Sequence, residues 1–318
     1  MSTPLLLLGF AAGMATLGAW TLRRATWPRR SPALGILAWQ AMSASVLLAV
    51  TLAGAALALP TLPITTDLAD WLGACSTALR AHYATPGGAV VGATGALLAA
   101  AVTLRLAGCL AAQWLRVVRT RRRLRTQLGI LATGGRQPGV LVVEHQSAAV
   151  YCVPGHGGAV VVTSGALDAL DDPQLAAVLA HEHAHLCDRH DLVLMMAAAL
   201  RRAFGCVPLF RWAETEIGQL IEMRADDAAL TSTDRRTLAG ALVALAGTHH
   251  PAGTLAAGGK LALARVQRLA TPGRSLSVVR SVTTVVLCLA GLALPLAIAA
   301  APAVAAAALD YCPLMFPT

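Results

Sequence analysis

Long apolar runs alternate along this chain with short arginine-rich stretches. Leu5 to Leu22 is apolar apart from isolated small polar residues. Ala33 to Leu59 follows, closed by Pro60 and Pro63; Val90 to Ala112 begins just after Gly87 and Gly88; Val278 to Ala300 comes near the end. Each run can cross a hydrocarbon core of about 30 Å, so four transmembrane helices are expected. The first run is followed, not preceded, by Arg23, Arg24, Arg29 and Arg30, which reads as an uncleaved span rather than a secretory signal. Leu192 to Phe210 is also apolar, but Arg201 and Arg202 interrupt it and neither half can cross alone. A buried or membrane-skimming helical segment is expected there.

The most polar stretch, Leu128 to Pro272, is long enough for one domain with its own core. Within it "GVLVVEHQ" (139–146) and "GGAVVVTSG" (157–165) are β-branched runs bounded by glycines and predict strands of a small sheet. "DPQLAAVLA" (172–180) predicts a helix with Asp172 as its N-cap. The expected organisation is a membrane domain over 1–115 with three spans, a polar domain over 116–275, and a fourth span with a short external tail over 276–318.

Composition agrees with a membrane protein. The 318 residues are 56% hydrophobic and 13% charged, with mean hydropathy +0.64, outside the balance of soluble globular chains. The net charge of +9 is almost all arginine, Lys260 being the lone lysine. The arginines sit beside apolar runs, notably in "RVVRTRRRLR" (116–125) and at Arg268, Arg274 and Arg280. By the positive-inside rule these ends are cytoplasmic, which places the polar domain in the cytosol and both termini outside a multi-pass cell-membrane protein. The decapeptide reads as a topology anchor, and no direct nucleic-acid binding is expected. Seven cysteines contain no C-x-x-C pair and imply no disulfide framework. Cys187 reads as packing, and a Cys75–Cys312 bridge has no distance to support it.

The chemistry is concentrated in "VLAHEHAHLCDRH" (178–190). On a helix, His181 and His185 lie one turn apart on one face and can reach a single metal ion, with Glu182 placed to take a proton from metal-bound water. His183 is about 200° round the helix from His181 and cannot share that metal, and His190 points away similarly; both read as polar packing or contacts to the ligands. A third histidine at the metzincin spacing is absent, since Asp188 and Asp191 occupy those positions. "IEMRADDAAL" (221–230) instead offers Glu222 as third ligand of a His2Glu site, with Asp226 one turn on to hold a ligand histidine by its far nitrogen. Glu214 and Glu216 compete for the ligand role but lack such a partner. Zn2+ is the expected cofactor. His249, His250 and Arg265 are candidates for stabilising the oxyanion.

The run "GAVVVTSGALDALDDPQLAAVLAHEHAH" with "EMRADDAAL" resembles the membrane-embedded gluzincin metallopeptidases, which include the HtpX and CAAX-protease type and the BlaR/MecR antibiotic-sensor type. The resemblance covers roughly 154–268. It implies a mainly α membrane protein with four transmembrane helices and an inserted α+β zincin-like metallopeptidase domain. It also implies that His181, His185 and Glu222 hold zinc, Glu182 is the base and Asp226 supports a ligand.

Three spans before the domain and one after it are similar to the BlaR/MecR arrangement. The expectation is therefore a BlaR/MecR-type peptidase without the C-terminal penicillin-binding sensor domain, cutting a cytosolic substrate such as a winged-helix repressor of the BlaI type. HtpX-like quality control of membrane proteins is the alternative, and a non-enzymatic membrane sensor with a structural metal site is a second. Both partners, a protein substrate and the lipid bilayer, follow from this reading. "GGAVVVTSG" is expected to offer the edge strand that aligns the substrate.

Overall fold

A computed structural model describes residues 2–58, 88–134, 138–155, 157–247, 258–271 and 276–308. Nearly all of the expected external segment 61–88 lies outside these residues, as do Cys75, Cys312, His249, His250 and Arg274.

Among the described residues, four helices are long and apolar enough to cross a membrane: Thr3–Arg24, Pro32–Ala58, Gly88–Leu131 and Val278–Pro302. The first is built from α1 (Ser2–Gly13), a π-helical turn (Met14–Gly18) and α2 (Ala19–Arg24), with a short α3 (Trp27–Arg30) after it. The second is α4 (Pro32–Ala58) and the third is α5 (Gly88–Leu131). Where α4 and α5 cross, a Cβ added at Gly54 would come within 2.8 Å of the Gly95 carbonyl oxygen, and one at Gly95 within 2.7 Å of the Gly54 oxygen. Two facing glycines therefore set the approach of the backbones, as small residues do between membrane helices.

At 1.5 Å per residue, the 44 residues of α5 extend about 66 Å, twice a hydrocarbon core. The arginine run is therefore the continuation of the third apolar run on one unbroken helix, which crosses the expected domain border at 115/116.

At its end α5 feeds β1 (Ala132–Gly134), followed by β2 (Val140–Val143), β3 (Val150–Val153) and β4 (Ala159–Thr163). The sheet order is β1-β2-β4-β3, with β2 and β4 parallel and the other pairs antiparallel. Both expected strands are present, but "GGAVVVTSG" forms β4, an interior strand. The edge beside the helix that carries His181 and His185 is β3, because the segment after β2 turns back to pair with β4 and covers it. Successive β4 residues point to opposite faces: Val161 packs with Leu128 and Val153, and Val162 with Ala148 and Ala166.

The strand ends in Thr163, which caps α6 (Ser164–Ala169) by accepting from the Ala166 amide at 3.2 Å. Gly165 is required there because any Cβ would collide with the Gln146 backbone. Next is α7 (Asp172–Cys187). Its N-cap is Asp171, one residue before the expected Asp172. Asp171 Oδ1 accepts from the Gln174 amide at 2.8 Å, and Gln174 reaches back to the Asp171 amide at 3.3 Å. That reciprocal box outcompetes a cap one residue later.

Leu192 to Phe210 is two helices rather than one segment: α8 (His190–Phe204) ends at Gly205, and α9 (Pro208–Ala229) starts on a proline. Ala197, Ala199, Leu200 and Ala203 of α8 are buried while Leu194 and Met196 face outward, and Arg105 of α5 donates to the Ala203 carbonyl at 2.6 Å. Leu209, Phe210, Ile217, Leu220 and Ile221 of α9 share a core with Leu22 and Trp39 of the apolar helices. The helices α10 (Arg235–Gly247), α11 (Gly258–Ala270) and α12 (Val278–Ala308) follow. Ser45 ties α12 to α4 by donating to the Gly291 carbonyl at 2.6 Å.

Candidate metal centre

Helical spacing brings His181 and His185 together on α7, with their Nε2 atoms 3.1 Å apart. From α9, Glu222 presents one carboxylate oxygen 3.6 Å from His181 Nε2 and the other 3.7 Å from His185 Nε2. Tetrahedral zinc with arms of about 2.0–2.1 Å requires donors roughly 3.3 Å apart, so these three side chains fit one such ion. Donor atoms of His181, His185 and Glu222 all lie within 4.8 Å of one another, and theirs is the one such group among the described residues.

Behind the donors lies a network. His181 Nδ1 is 3.0 Å from Asp226 Oδ1, leaving Nε2 turned to the common centre. Asp226 is fully buried, and its charge is met by Arg265 of α11, which donates through Nε to Oδ2 at 2.9 Å and through Nη2 to Oδ1 at 2.5 Å. A third guanidinium nitrogen of Arg265 stands 3.1 Å from Glu222 Oε2. Three residues on, Arg268 pairs with Asp227 through two hydrogen bonds of 2.8 Å and donates to the Arg29 carbonyl at 3.0 Å. Thus α11 is fixed to α9 by two adjacent arginine–aspartate pairs, and Arg265, a candidate for the oxyanion, is committed to Asp226 and Glu222.

On the other side, His190 reaches His185, with Nδ1 atoms 3.0 Å apart. Sequence spacing on one continuous helix would point His190 away. The chain instead breaks at Asp188 and Arg189, whose left-handed φ of 49° starts a new helix and returns His190 to the cluster. His183 is exposed, as are Cys187 and Asp188. Cys187 therefore does not serve as packing, because it ends α7 on the face away from the core. Glu214 and Glu216 lie elsewhere, beside Arg201 at 3.1 Å and Arg23 at 3.9 Å. Asp191 pairs with Arg121.

The electrostatics follow from burial and these contacts. Burial works against a charged His181, but the hydrogen bonds it donates to Asp226 and Glu222 outweigh it and lift its pKa to about 9. Burial and then the neighbouring His181 push His185 down to about 4. For Asp226, burial is overcome by the hydrogen bonds to Arg265 and His181, which hold it at about 2. Glu182 is raised, first by burial. Its side chain meets Cys152 of β3, whose thiol is pushed up to about 12 by burial and then by Glu182. Cys152 had no sequence signal beyond alternation along a strand. His181, Glu182, Glu222 and Arg265 open onto a cavity of about 350 Å³ whose other walls include Ala148 to Val150 and apolar residues of α10.

Residues 119–270 match the model of peptidase family M48. That stretch holds the whole cluster and supports a metalloprotease. Two curated relatives are each described as "Protease HtpX homolog". One, from Aquifex aeolicus, is 46% identical over 61 residues, 19% of this chain and 20% of the relative. The other, from Acidiphilium cryptum, is 36% identical over 90 residues, 27% of this chain and 31% of the relative. The matched stretches thus span less than a third of these relatives. No solved structure matches the chain. The M48 match together with four long apolar helices supports a membrane-type metallopeptidase.

Proposed function

We propose that this chain is a membrane-bound zinc endopeptidase that cuts damaged or misassembled membrane proteins, as an HtpX-type protease would. The observation that carries the reading is the partly buried His181–His185–Glu222 group with Glu182 beside it, its histidines on a helix framed by an edge strand and a cavity. His181, His185 and Glu222 would hold zinc, which supplies a Lewis acid and an acidified water when bound. Glu182, kept poorly solvated, accepts a proton from the nucleophile and returns it to the leaving amine. Asp226 fixes His181, and Arg265 fixes both Asp226 and Glu222. An extended substrate adds to β3 at Val150–Val153, which brings its backbone past Glu182. The domain faces the cytosol, with both termini external, on the arginine asymmetry of the spans.

The HtpX-type reading is favoured over the BlaI-directed one by the descriptions of both relatives. Signalling through a BlaI-type repressor is the second reading, favoured by the chain order of three apolar helices, domain and one apolar helix. A non-enzymatic metal site would leave Glu182 without a task. Proteomic comparison of cells carrying the natural chain or Glu182→Gln separates these. Broad accumulation of membrane proteins supports quality control, one stabilised cytosolic repressor with a coherent set of silenced genes supports signalling, and no stabilised protein at all overturns the protease.

A further inference from the structure

The arginine run of α5 does more than mark topology. Arg121, Arg122 and Arg125 converge with Arg189, from the turn between α7 and α8, on a cavity of about 720 Å³ separate from the metal centre. Asp191 is the single acidic residue in its lining and is taken up by Arg121. Arg125 lies along the loop after β3, donating to the Pro154 carbonyl at 3.3 Å. Gly155 makes that approach possible, because any Cβ there would strike the guanidinium, and its φ of 129° is open to glycine alone. Arg122 and Arg189 have no side-chain partner among the described residues and are exposed on the cavity.

Two further features point to a ligand. Arg189 is the one non-glycine residue with positive φ among the described residues, a strained conformation that holds its side chain on this cavity. Trp114, two residues beyond the expected end of the third span, lines the same cavity; that boundary puts it at the level where tryptophan meets lipid headgroups. The arginines lie about 14–20 Å further along the helix axis than Ala112, and side chains on a helix tilt back toward its N-terminus, here the membrane. The volume suits a small-molecule ligand rather than a lone ion. Guanidinium forks match phosphate oxygens two at a time.

We propose that this cavity binds the phosphate-bearing headgroup of an anionic phospholipid, with Arg122 and Arg189 as its principal ligands. The bound lipid holds the turn Asp188–Arg189, directly before His190, and so anchors the end of the catalytic helix to the bilayer surface.

The test uses the full chain in detergent, washed with phosphatidylcholine micelles and then exposed to increasing phosphatidylglycerol, with bound lipid counted by native mass spectrometry. Each arginine near an anionic lipid contributes a binding factor of roughly five, so removing both should weaken retention about 25-fold. The variant is Arg122→Gln with Arg189→Gly; glycine accepts the 49° φ without strain, so the fold is retained, which the unfolding temperature checks. Saturable phosphatidylglycerol retention that falls in the double variant supports the site. Equal retention in the natural chain and the double variant overturns it. Displacement of the lipid by inorganic phosphate or glycerophosphoglycerol at comparable concentrations would place the ligand in solution and overturn the lipid assignment.

Discussion

His190 Nδ1 stands 3.0 Å from His185 Nδ1, so one ring nitrogen of His185 is held by another histidine while its Nε2 faces His181 and Glu222. Such outer contacts fix ligand orientation, and losing one typically weakens metal affinity 10–100-fold. His190→Ala should therefore lower zinc affinity by about that factor, measured by competition with a chromogenic chelator, while leaving helix content unchanged. Unaltered affinity would show that His185 is oriented without His190.

Asp226→Ala should be more damaging to the fold than to any single contact. It leaves Arg265 buried with Glu222 as its one carboxylate partner, and breaking a buried pair costs about 3–5 kcal/mol. Thermal unfolding of the reconstituted variant should show a large drop, and Arg265→Met together with Asp226→Leu should recover much of it while zinc affinity stays low.

Zinc affinity should depend steeply on pH. The folded-state pKa of His181 is raised to about 9, so its proton stabilises the metal-free fold below pH 6.5, and that contribution is lost as pH rises through 9. Zinc must displace the same proton. Affinity should then rise about tenfold per pH unit between roughly 6.5 and 9 and level off above, read from chelator competition at fixed ionic strength. In Asp226→Asn the His181 pKa falls, and the rise should end at lower pH.

Gly95→Leu should separate α4 from α5, since the added side chain meets Leu57 and the Gly54 carbonyl. Overpacking costs about 1–3 kcal/mol or more, visible as a lower unfolding temperature in nanodiscs. Gly108→Leu on the same helix, where a Cβ meets nothing within 4 Å, should be nearly neutral.

Topology is open to a direct check. A reporter fused after Arg125 should behave as cytoplasmic, and one inserted between Thr61 and Gly87 as external. Opposite signals at both positions would reverse the orientation.

The sequence by itself determined the elements whose signal is local. Four apolar runs are visible because a bilayer demands some twenty consecutive apolar residues. His181, Glu182 and His185 are legible because a helical turn brings positions four apart together, and Glu222 with Asp226 because the same period recurs on a second helix. What only the tertiary structure decided depends on chain reversals and distant partners. One left-handed residue, Arg189, turns His190 back onto His185. β3 takes the sheet edge from β4 because hydrogen bonding between strands outranks the apolar run that made β4 conspicuous. Arg265 meets Asp226 across 39 positions, and Cys152 meets Glu182, by packing that no periodicity records. The capping box moved the N-cap of α7 from Asp172 to Asp171, because two reciprocal hydrogen bonds outweigh a single one.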